Sequence, residues 1–134
     1  MSQCDVYLFC LWKKAENYWK YIIDDIKKNY DVQMCFECEF PNRMQSVRKF
    51  YGNVPLEGGY PKKLRDIAGR FVFCIAKDSQ MNDIKKLKNL KKKYRNIGET
   101  KDDYSSVHAS VDMKEFVEEI QVLENLPWKS ATYT

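Results

Sequence analysis

The amino-acid sequence predicts a single α+β domain built on an antiparallel sheet. Short apolar runs of strand length alternate with amphipathic segments of helical spacing, and 44% of the 134 residues are hydrophobic. A chain of this length fits one domain, because its halves would be too small to bury stable cores. We therefore expect residues 1–126 to form one domain and residues 127–134 to form a loose C-terminal tail.

Four segments have the pattern of strands. Asp5–Trp12 is a nearly continuous apolar run, and it is short enough for a buried strand. Val32–Phe40 is rich in aromatic and other residues that suit a strand. Arg70–Lys77 and Ser105–Val111 supply the third and fourth predicted strands.

Helices are predicted between and after these strands. Ala15–Tyr30 carries apolar side chains at spacings of four, three and four, which is typical of an amphipathic helix. Met81–Arg95 is a very basic helix with one apolar stripe, and Met113–Leu123 has apolar residues at helical spacing. Two further short helices are predicted between the second and third strands: Arg43–Tyr51 and Pro61–Ala68.

The order of these elements is β-α-β-(α-α)-β-α-β-α. This is the split βαβ arrangement of a ferredoxin-like fold, with a helical pair inserted after strand 2. We therefore predict a four-stranded antiparallel sheet with its helices packed on one face.

The charge balance favours anionic partners without indicating a dedicated nucleic-acid binder. The net charge is +4, from 23 basic and 19 acidic residues. The sequence contains no apolar run near the ~20 residues that span a bilayer. Its N-terminus lacks the basic start and cleavage site of a signal peptide. We expect a cytoplasmic protein, or one in a host cell's cytoplasm, with no membrane partner.

The cysteines indicate buried thiols. Five are present, an odd number, and most fall in apparent strands. Cys35 and Cys38 have the spacing of half a zinc site or a redox pair. However, residues three apart in a strand point to opposite faces, so both sulfurs cannot easily reach one metal. We interpret these cysteines as structural and predict no metal ligands in the chain.

The single histidine, His108, is the candidate centre for chemistry. Imidazole titrates near neutrality, although a half-buried histidine without a role is the alternative. Glu119 follows eleven residues later, on a helix that Asp112 can cap. Its carboxylate could hold one ring nitrogen protonated and leave the other as a nucleophile. We predict that Glu119 lies within about 2.6–3.2 Å of the His108 ring.

Cations are expected to surround this histidine. Arg95 precedes His108 by thirteen residues, at the end of a helix with six lysines, and Lys13 closes the first strand. Phosphoryl transfer needs positioning of the reactants and stabilisation of negative oxygens. We predict that Arg95, Lys13 and one of Lys86 or Lys88 converge around His108 and accept an anion.

The segment Val107–Asp112 (V-H-A-S-V-D) resembles the N-x-x-H-G-S-D motif of the nucleoside diphosphate kinases, with Ala109 for the glycine and Ser110 retained. Glu119, in the string E-I, and Arg95 fall at that family's distances from the histidine. The family's ferredoxin-like core also has paired helices inserted after strand 2. The resemblance covers most of the chain.

The resemblance implies a phosphotransferase that uses Mg²⁺ with a nucleoside triphosphate. His108 and Glu119 would be its catalytic residues. A nucleotide would be the partner, and a homo-oligomer is compatible with the family. The residues implied to bind phosphate or substrate are Lys13, Lys86, Lys88, Arg95 and Ser110, and those implied near the base are Tyr51 and Tyr60.

Other interpretations stay open. Ser105 stands where the family motif has asparagine, and the stretch from strand 3 to Arg95 is shorter than in the family. A catalytically inactive module of the same fold that binds nucleotide or nucleic acid is therefore the alternative. The basic helix, with Tyr94 and Tyr104 nearby, is compatible with nucleic-acid binding, but we favour a solvated helix face, because acidic residues elsewhere nearly balance the charge. An unrelated ferredoxin-like binding domain is the third interpretation.

Overall fold

The computed structural model describes residues 6–39, 69–78, 84–97 and 107–126, together with the backbone of residues 128–130. A 3₁₀ segment over Lys13–Tyr18 leads into the first helix. The strands are β1 (Val6–Leu11), β2 (Asp31–Glu39), β3 (Arg70–Lys77), β4 (Val107–Ala109) and β5 (Trp128–Ser130), and the helices are α1 (Trp19–Asn29), α2 (Ile84–Arg95) and α3 (Met113–Leu123).

The strands form one antiparallel sheet in the order β4-β1-β3-β2-β5. The first four strands therefore have the predicted ferredoxin-like order, and the α+β fold class is confirmed. The two helices predicted after strand 2, Arg43–Tyr51 and Pro61–Ala68, lie outside the described residues. Gly69, which precedes β3, has a φ of 95°, a conformation that favours glycine.

The sheet has a fifth strand that was not predicted from the sequence. Residues 127–134 were expected to form a loose tail, but Trp128–Ser130 pair with Phe36–Cys38 of β2. A three-residue edge strand is held by backbone hydrogen bonds, so its sequence shows no repeated apolar pattern.

One face of the sheet is covered by α1 and α2, and we call it the α1–α2 face. β1 contributes Tyr7, Phe9 and Leu11 to this core, and all three are fully buried. The apolar stripes of the two helices pack against them, as their helical spacing predicts. The helical residues buried here are Trp19, Ile22, Ile23, Ile26, Leu87, Leu90 and Tyr94.

The opposite face is covered by α3, and we call it the α3 face. The alternate residues of β1, Leu8 and Cys10, point to this side and pack in a cluster with Phe71 and Leu123. The prediction that the helices share one face is therefore wrong for α3. The continuous apolar run of β1 is the physical reason, because a strand buried on both faces needs cover on both.

The helices α1 and α3 differ in how closely their first residues match the prediction. α1 begins at Trp19 and not at Ala15, because the preceding six residues form the 3₁₀ segment. α3 begins where predicted, and the Asp112 carboxylate accepts a hydrogen bond from the Glu115 amide at 2.8 Å. Among the described residues, we find no helix with the length and apolar character needed to cross a membrane.

Candidate active site

His108 lies in β4, at one edge of the sheet, and its side chain is on the α3 face. Its cross-strand partner is Cys10 of β1, which belongs to the cluster under α3. The neighbours Val107 and Ala109 point the other way and are buried in the α1–α2 core. Side chains alternate along a strand, so this register directs the His108 ring toward α3. The residue is 8% exposed.

Glu119 reaches the histidine from α3. The cap at Asp112 starts this helix directly after β4, and Glu119 follows seven residues, or two turns, later. Its Oε2 lies 2.8 Å from Nε2 of His108, within the predicted distance. Glu119 is only 3% exposed, so this is a buried hydrogen bond between two titratable groups.

Glu115 is a third member of the cluster, and it was not among the site residues predicted from the sequence. It lies one turn before Glu119, and its Oε1 is 3.6 Å from Nε2 of His108. Residues four apart share one face of a helix. That spacing was a usable signal, since any residue at that position would lie beside Glu119.

The carboxylates of this cluster are held toward their neutral forms. Burial raises the pKa of Glu119 to about 8, although a hydrogen bond with Glu115 and the charge of Lys91 act in the opposite direction. Burial also raises the pKa of Glu115, and the nearby charge of Glu119 adds to the effect. An ionised Glu119 accepts a hydrogen bond from Nε2–H, whereas a protonated Glu119 donates a hydrogen bond to Nε2. Its charge therefore selects the tautomer of His108.

Two cations of α2 border the same strand. Arg95 donates from Nε to the carbonyl of Val107 at 2.9 Å, and Lys91 donates from Nζ to the carbonyl of Ala109 at 3.3 Å. These carbonyls flank His108 on either side. Burial lowers the pKa of Lys91, and repulsion by Arg95 lowers it further. Arg95 thus lies beside the strand that carries His108, and Lys91, which was not among the predicted site residues, lies beside the same strand.

Of the two other α2 lysines predicted for the site, Lys88 lies on the same side of the helix as Lys91 and Arg95. It is exposed, lies three residues before Lys91 and seven before Arg95, and its charge depresses the pKa of Lys91. Lys86 points elsewhere. Its Nζ donates to the carbonyl of Asn29 at 2.7 Å and lies 4.4 Å from the centroid of the Tyr30 ring.

Lys13 and Ser110 make contacts that differ from those predicted. Nζ of Lys13 lies 3.6 Å from Glu16, and its side chain covers Gly69, which leads into β3. β3 and β4 pair with opposite edges of β1, so these contacts are on the side away from His108. Ser110 is fully buried, and its hydroxyl accepts a hydrogen bond from the amide of Leu8 at 2.9 Å.

Ser110 therefore extends the pairing of β4 with β1, since its own amide also donates to the Leu8 carbonyl at 2.9 Å. Its hydroxyl is engaged with backbone, whereas the family resemblance implied a contact with phosphate. The two residues predicted to lie near the base, Tyr51 and Tyr60, are outside the described residues.

The same cluster could be considered as a metal site. His108, Glu115 and Glu119 each offer a ligand atom, all within 4.8 Å of one another. One imidazole nitrogen and two carboxylates suit Zn²⁺ better than Mg²⁺, which prefers oxygen ligands and substrate phosphates. The 2.8 Å separation between the His108 and Glu119 atoms is that of a hydrogen bond. A magnesium ion that arrives with a nucleotide is therefore part of the substrate here, and the cluster does not fit it as a resident ion.

Comparison with known proteins relates this fold to solved structures of nucleoside diphosphate kinases. No protein-family model and no curated protein sequence matches the chain. Solved structures do match, with a nucleoside diphosphate kinase of Aquifex aeolicus at a TM-score of 0.67 and 12% identity, over 89% of this chain and 94% of that one. A nucleoside diphosphate kinase from Encephalitozoon cuniculi has a TM-score of 0.64 at 13% identity, over 97% and 95% of the two chains.

A third match, a nucleoside diphosphate kinase family protein from Babesia bovis, has a TM-score of 0.59 at 12% identity and covers 96% of each chain. These matches extend over almost the whole length of both partners. The structural similarity establishes the fold, whereas identities this low leave the activity to be tested. The chain is thus a diverged protein with the fold of the nucleoside diphosphate kinases.

Proposed function

We propose that this protein is a phosphotransferase that moves a phosphoryl group from a nucleoside triphosphate to a nucleotide or another phosphate acceptor through phospho-His108. The observation that carries the proposal is the buried 2.8 Å hydrogen bond between Nε2 of His108 and Glu119. Arg95 and Lys91 hold the two carbonyls beside that histidine. A positioned imidazole bordered by cations has the parts that histidine phosphorylation requires.

Two displacements make up the reaction. In the first, Nδ1 of His108 attacks the γ-phosphorus, the bond to the leaving oxygen breaks, and a nucleoside diphosphate departs. Glu119 supports this step in its ionised form, which predominates above its pKa of about 8, because it then keeps the proton on Nε2 and offsets the positive charge that develops on the ring. In the second, an oxygen of the acceptor attacks the phosphorus, the bond between phosphorus and Nδ1 of His108 breaks, and its electron pair returns the ring to its neutral form.

The cations supply the electrostatic part of this reaction. Negative charge spreads over the oxygens of the transferred group, and preorganised positive groups stabilise it. Arg95 suits this role because a guanidinium stays protonated at neutral pH and its planar fork matches the geometry of phosphate oxygens. Lys88, exposed on the same side of α2, can meet the more distant phosphates. Mg²⁺ would enter with the nucleoside triphosphate.

The proposal extends to the setting of this activity. We propose a single catalytic domain that extends beyond the predicted residues 1–126 to include Trp128–Ser130, which pair with β2, with a nucleotide as its substrate and the cytoplasm as its location. Family resemblance also makes a homo-oligomer a testable arrangement, which light scattering of the full chain measures directly.

Incubation with ATP labelled on the γ-phosphate tests the proposed activity. The protein should acquire label that is labile in acid and stable in base, which is the signature expected of phosphohistidine. His108→Asn should abolish the label while nucleotide binding and the circular dichroism spectrum persist, because asparagine is polar but cannot carry the phosphoryl group. Glu119→Gln should lose less, because it weakens ring orientation without removing the attacking nitrogen.

One observation favours a second function, an inactive nucleotide-binding module of the same fold. The Glu115 carboxylate lies 3.6 Å from Nε2 of His108, where it opposes an incoming anion when ionised. A wild-type chain that binds ATP but never acquires label would establish this alternative. Binding that is unchanged in His108→Asn would then show that the cations, and not the imidazole, hold the ligand.

A further inference from the structure

Two cysteines face each other across the centre of the sheet. Cys35 of β2 and Cys74 of β3 are direct cross-strand partners, and their sulfur atoms lie 3.1 Å apart. Cys38, three residues after Cys35, belongs to the cluster on the opposite face. The sequence spacing suggested a pairing of Cys35 only with Cys38. The sheet register instead gives Cys35 a partner thirty-nine residues later in the chain.

We propose that Cys35 and Cys74 are a reversible redox pair that closes to a cross-strand disulfide when it meets a small-molecule disulfide such as oxidised glutathione. Both are thiols in this structure. Their sulfurs are already in contact and their Cα atoms are in register on adjacent strands, so closure needs only a small movement of two side chains.

The surroundings of the two thiols differ, and the difference determines which thiol reacts first. Cys35 is partly exposed, whereas Cys74 is fully buried. The hydrogen bond from Cys74 lowers the pKa of Cys35, and the charge of Lys27 lowers it further against the effect of burial. The same hydrogen bond and burial raise the pKa of Cys74. Cys35 is therefore the accessible thiol that ionises first and attacks.

The exchange balances in two steps. The Cys35 thiolate attacks one sulfur of glutathione disulfide, which forms a mixed disulfide and releases one glutathione thiolate. Cys74 then loses its proton and attacks the sulfur of Cys35, which breaks the mixed disulfide and releases the second glutathione. The two protons from the protein thiols pass to the two glutathione thiolates. The protein is oxidised by two electrons, and glutathione disulfide is reduced by two.

The bond would join the strands that flank residues 40–68. It would close a loop through the chain from Cys35 to Cys74, and disulfides stabilise mainly by restricting such loops in the unfolded chain. The oxidised protein should therefore melt at a higher temperature than the reduced one. This inference does not rest on the proposed phosphotransferase activity, because neither thiol belongs to the His108 cluster.

Thiol counting on the full chain tests the proposal. The reduced protein is equilibrated with glutathione disulfide, denatured, alkylated with a maleimide and digested for mass spectrometry. We expect the five thiols to fall to three, a linked peptide that contains Cys35 and Cys74, and full recovery after treatment with dithiothreitol. Cys35→Ser should abolish the linked peptide, whereas the matched variant Cys38→Ser, on the same strand but the other face, should retain it.

Several results would overturn the proposal: five alkylated thiols after oxidation, a stable glutathione adduct without the linked peptide, or a linkage that joins other cysteines. Loss of the linked peptide in Cys38→Ser would do the same. Circular dichroism checks that each variant folds. Cys74→Ala provides a second test, and it should also lack the linked peptide. Alanine is used at this buried position because serine would leave a buried hydroxyl without a hydrogen-bond partner.

Discussion

The two faces of the sheet bury different kinds of side chain. The α1–α2 core consists of aliphatic, aromatic and cysteine side chains, with α1 and α2 packed on alternate residues of β1. The α3 face carries an apolar cluster as well, but it also buries His108 and Glu119 in contact with one another. Burying apolar surface stabilises a fold, whereas burying a carboxylate costs free energy. The comparison indicates that the α1–α2 face mainly stabilises the fold, whereas the α3 face is less stabilising because it buries the titratable pair of His108 and Glu119.

The largest expected effect comes from the apolar face. Ile22→Ala, a change at a fully buried position of α1, should lower the free energy of unfolding by about 2–5 kcal/mol, because it removes buried methylene groups and leaves a cavity. Denaturation in urea measures this change. Val117→Ala on α3, at a position 43% exposed, should change stability by less than about 0.5 kcal/mol. Equal losses in the two variants would contradict the comparison.

The second effect concerns the cost of burying Glu119. Its pKa is raised from 4.5 to about 8 in the folded protein, so the fold favours the protonated form. The preference for the protonated form contributes fully to the free energy of unfolding below about pH 4.5. This contribution is lost as the pH rises through about 8, because the buried carboxylate then becomes charged. We expect the free energy of unfolding to decline by an amount on the order of a few kcal/mol across that pH interval.

Urea denaturation at several pH values measures that decline. Glu119→Gln removes the titrating group while retaining a similar shape, so the slope between these pH values should become smaller. At pH 9 the variant should be at least as stable as the wild type. A slope that is the same in both proteins would show that Glu119 keeps an ordinary pKa.

A smaller effect is expected at the cationic border of the site. Arg95→Ala should weaken nucleotide binding about tenfold or more, because a charge-assisted contact is worth about 1.5–3 kcal/mol. Isothermal titration with ATP measures the affinity. Lys92→Ala, an exposed change on the same helix, is the matched control and should bind nearly as well as the wild type. If both variants bind equally well, Arg95 does not bind the nucleotide, and its role is structural.

The smallest effect should come from Glu115, which adds negative charge beside the ring. Glu115→Gln removes that charge, so ATP should bind about two- to fivefold more tightly, which corresponds to about 0.5–1 kcal/mol. Fluorescence anisotropy with a labelled nucleotide can resolve a change of this size. Weaker binding in the variant would instead show that Glu115 helps to hold the ligand.

Much of the fold could be predicted from local pattern. The apolar run of β1 and the spacings in α1 and α2 are local properties of the sequence, and these elements lie in the segments that the patterns indicated, although α1 begins four residues later than predicted. The distribution of helices between two faces was not predicted, because periodicity shows which side of a helix is apolar and not which face of the sheet it covers. The three-residue β5 was missed because its pairing depends on the backbone.

Some contacts of the candidate site could also be predicted from the sequence, and others could not. The approach of Glu119 to His108 could be predicted, because the two are joined by a single strand-to-helix reversal at a capping residue, Asp112. Lys13 and Lys86 could not be placed, because long side chains choose among partners that only the tertiary structure supplies. Their contacts with Glu16 and with the carbonyl of Asn29 are examples. Glu115 lay on the helical face of Glu119 and was available to the same reasoning.

The position of the phosphoryl group tests the proposed role of His108 most directly. Protein incubated with MgATP and labelled with ¹⁵N in the histidine ring can be analysed by phosphorus–nitrogen correlation in NMR. Glu119 holds Nε2, so we predict a phosphoryl group on Nδ1 of His108. That signal should be absent in His108→Asn. A phosphoryl group on Nε2, a phosphoryl group on another residue, or no phosphorylation of a protein that binds ATP would contradict the proposed mechanism.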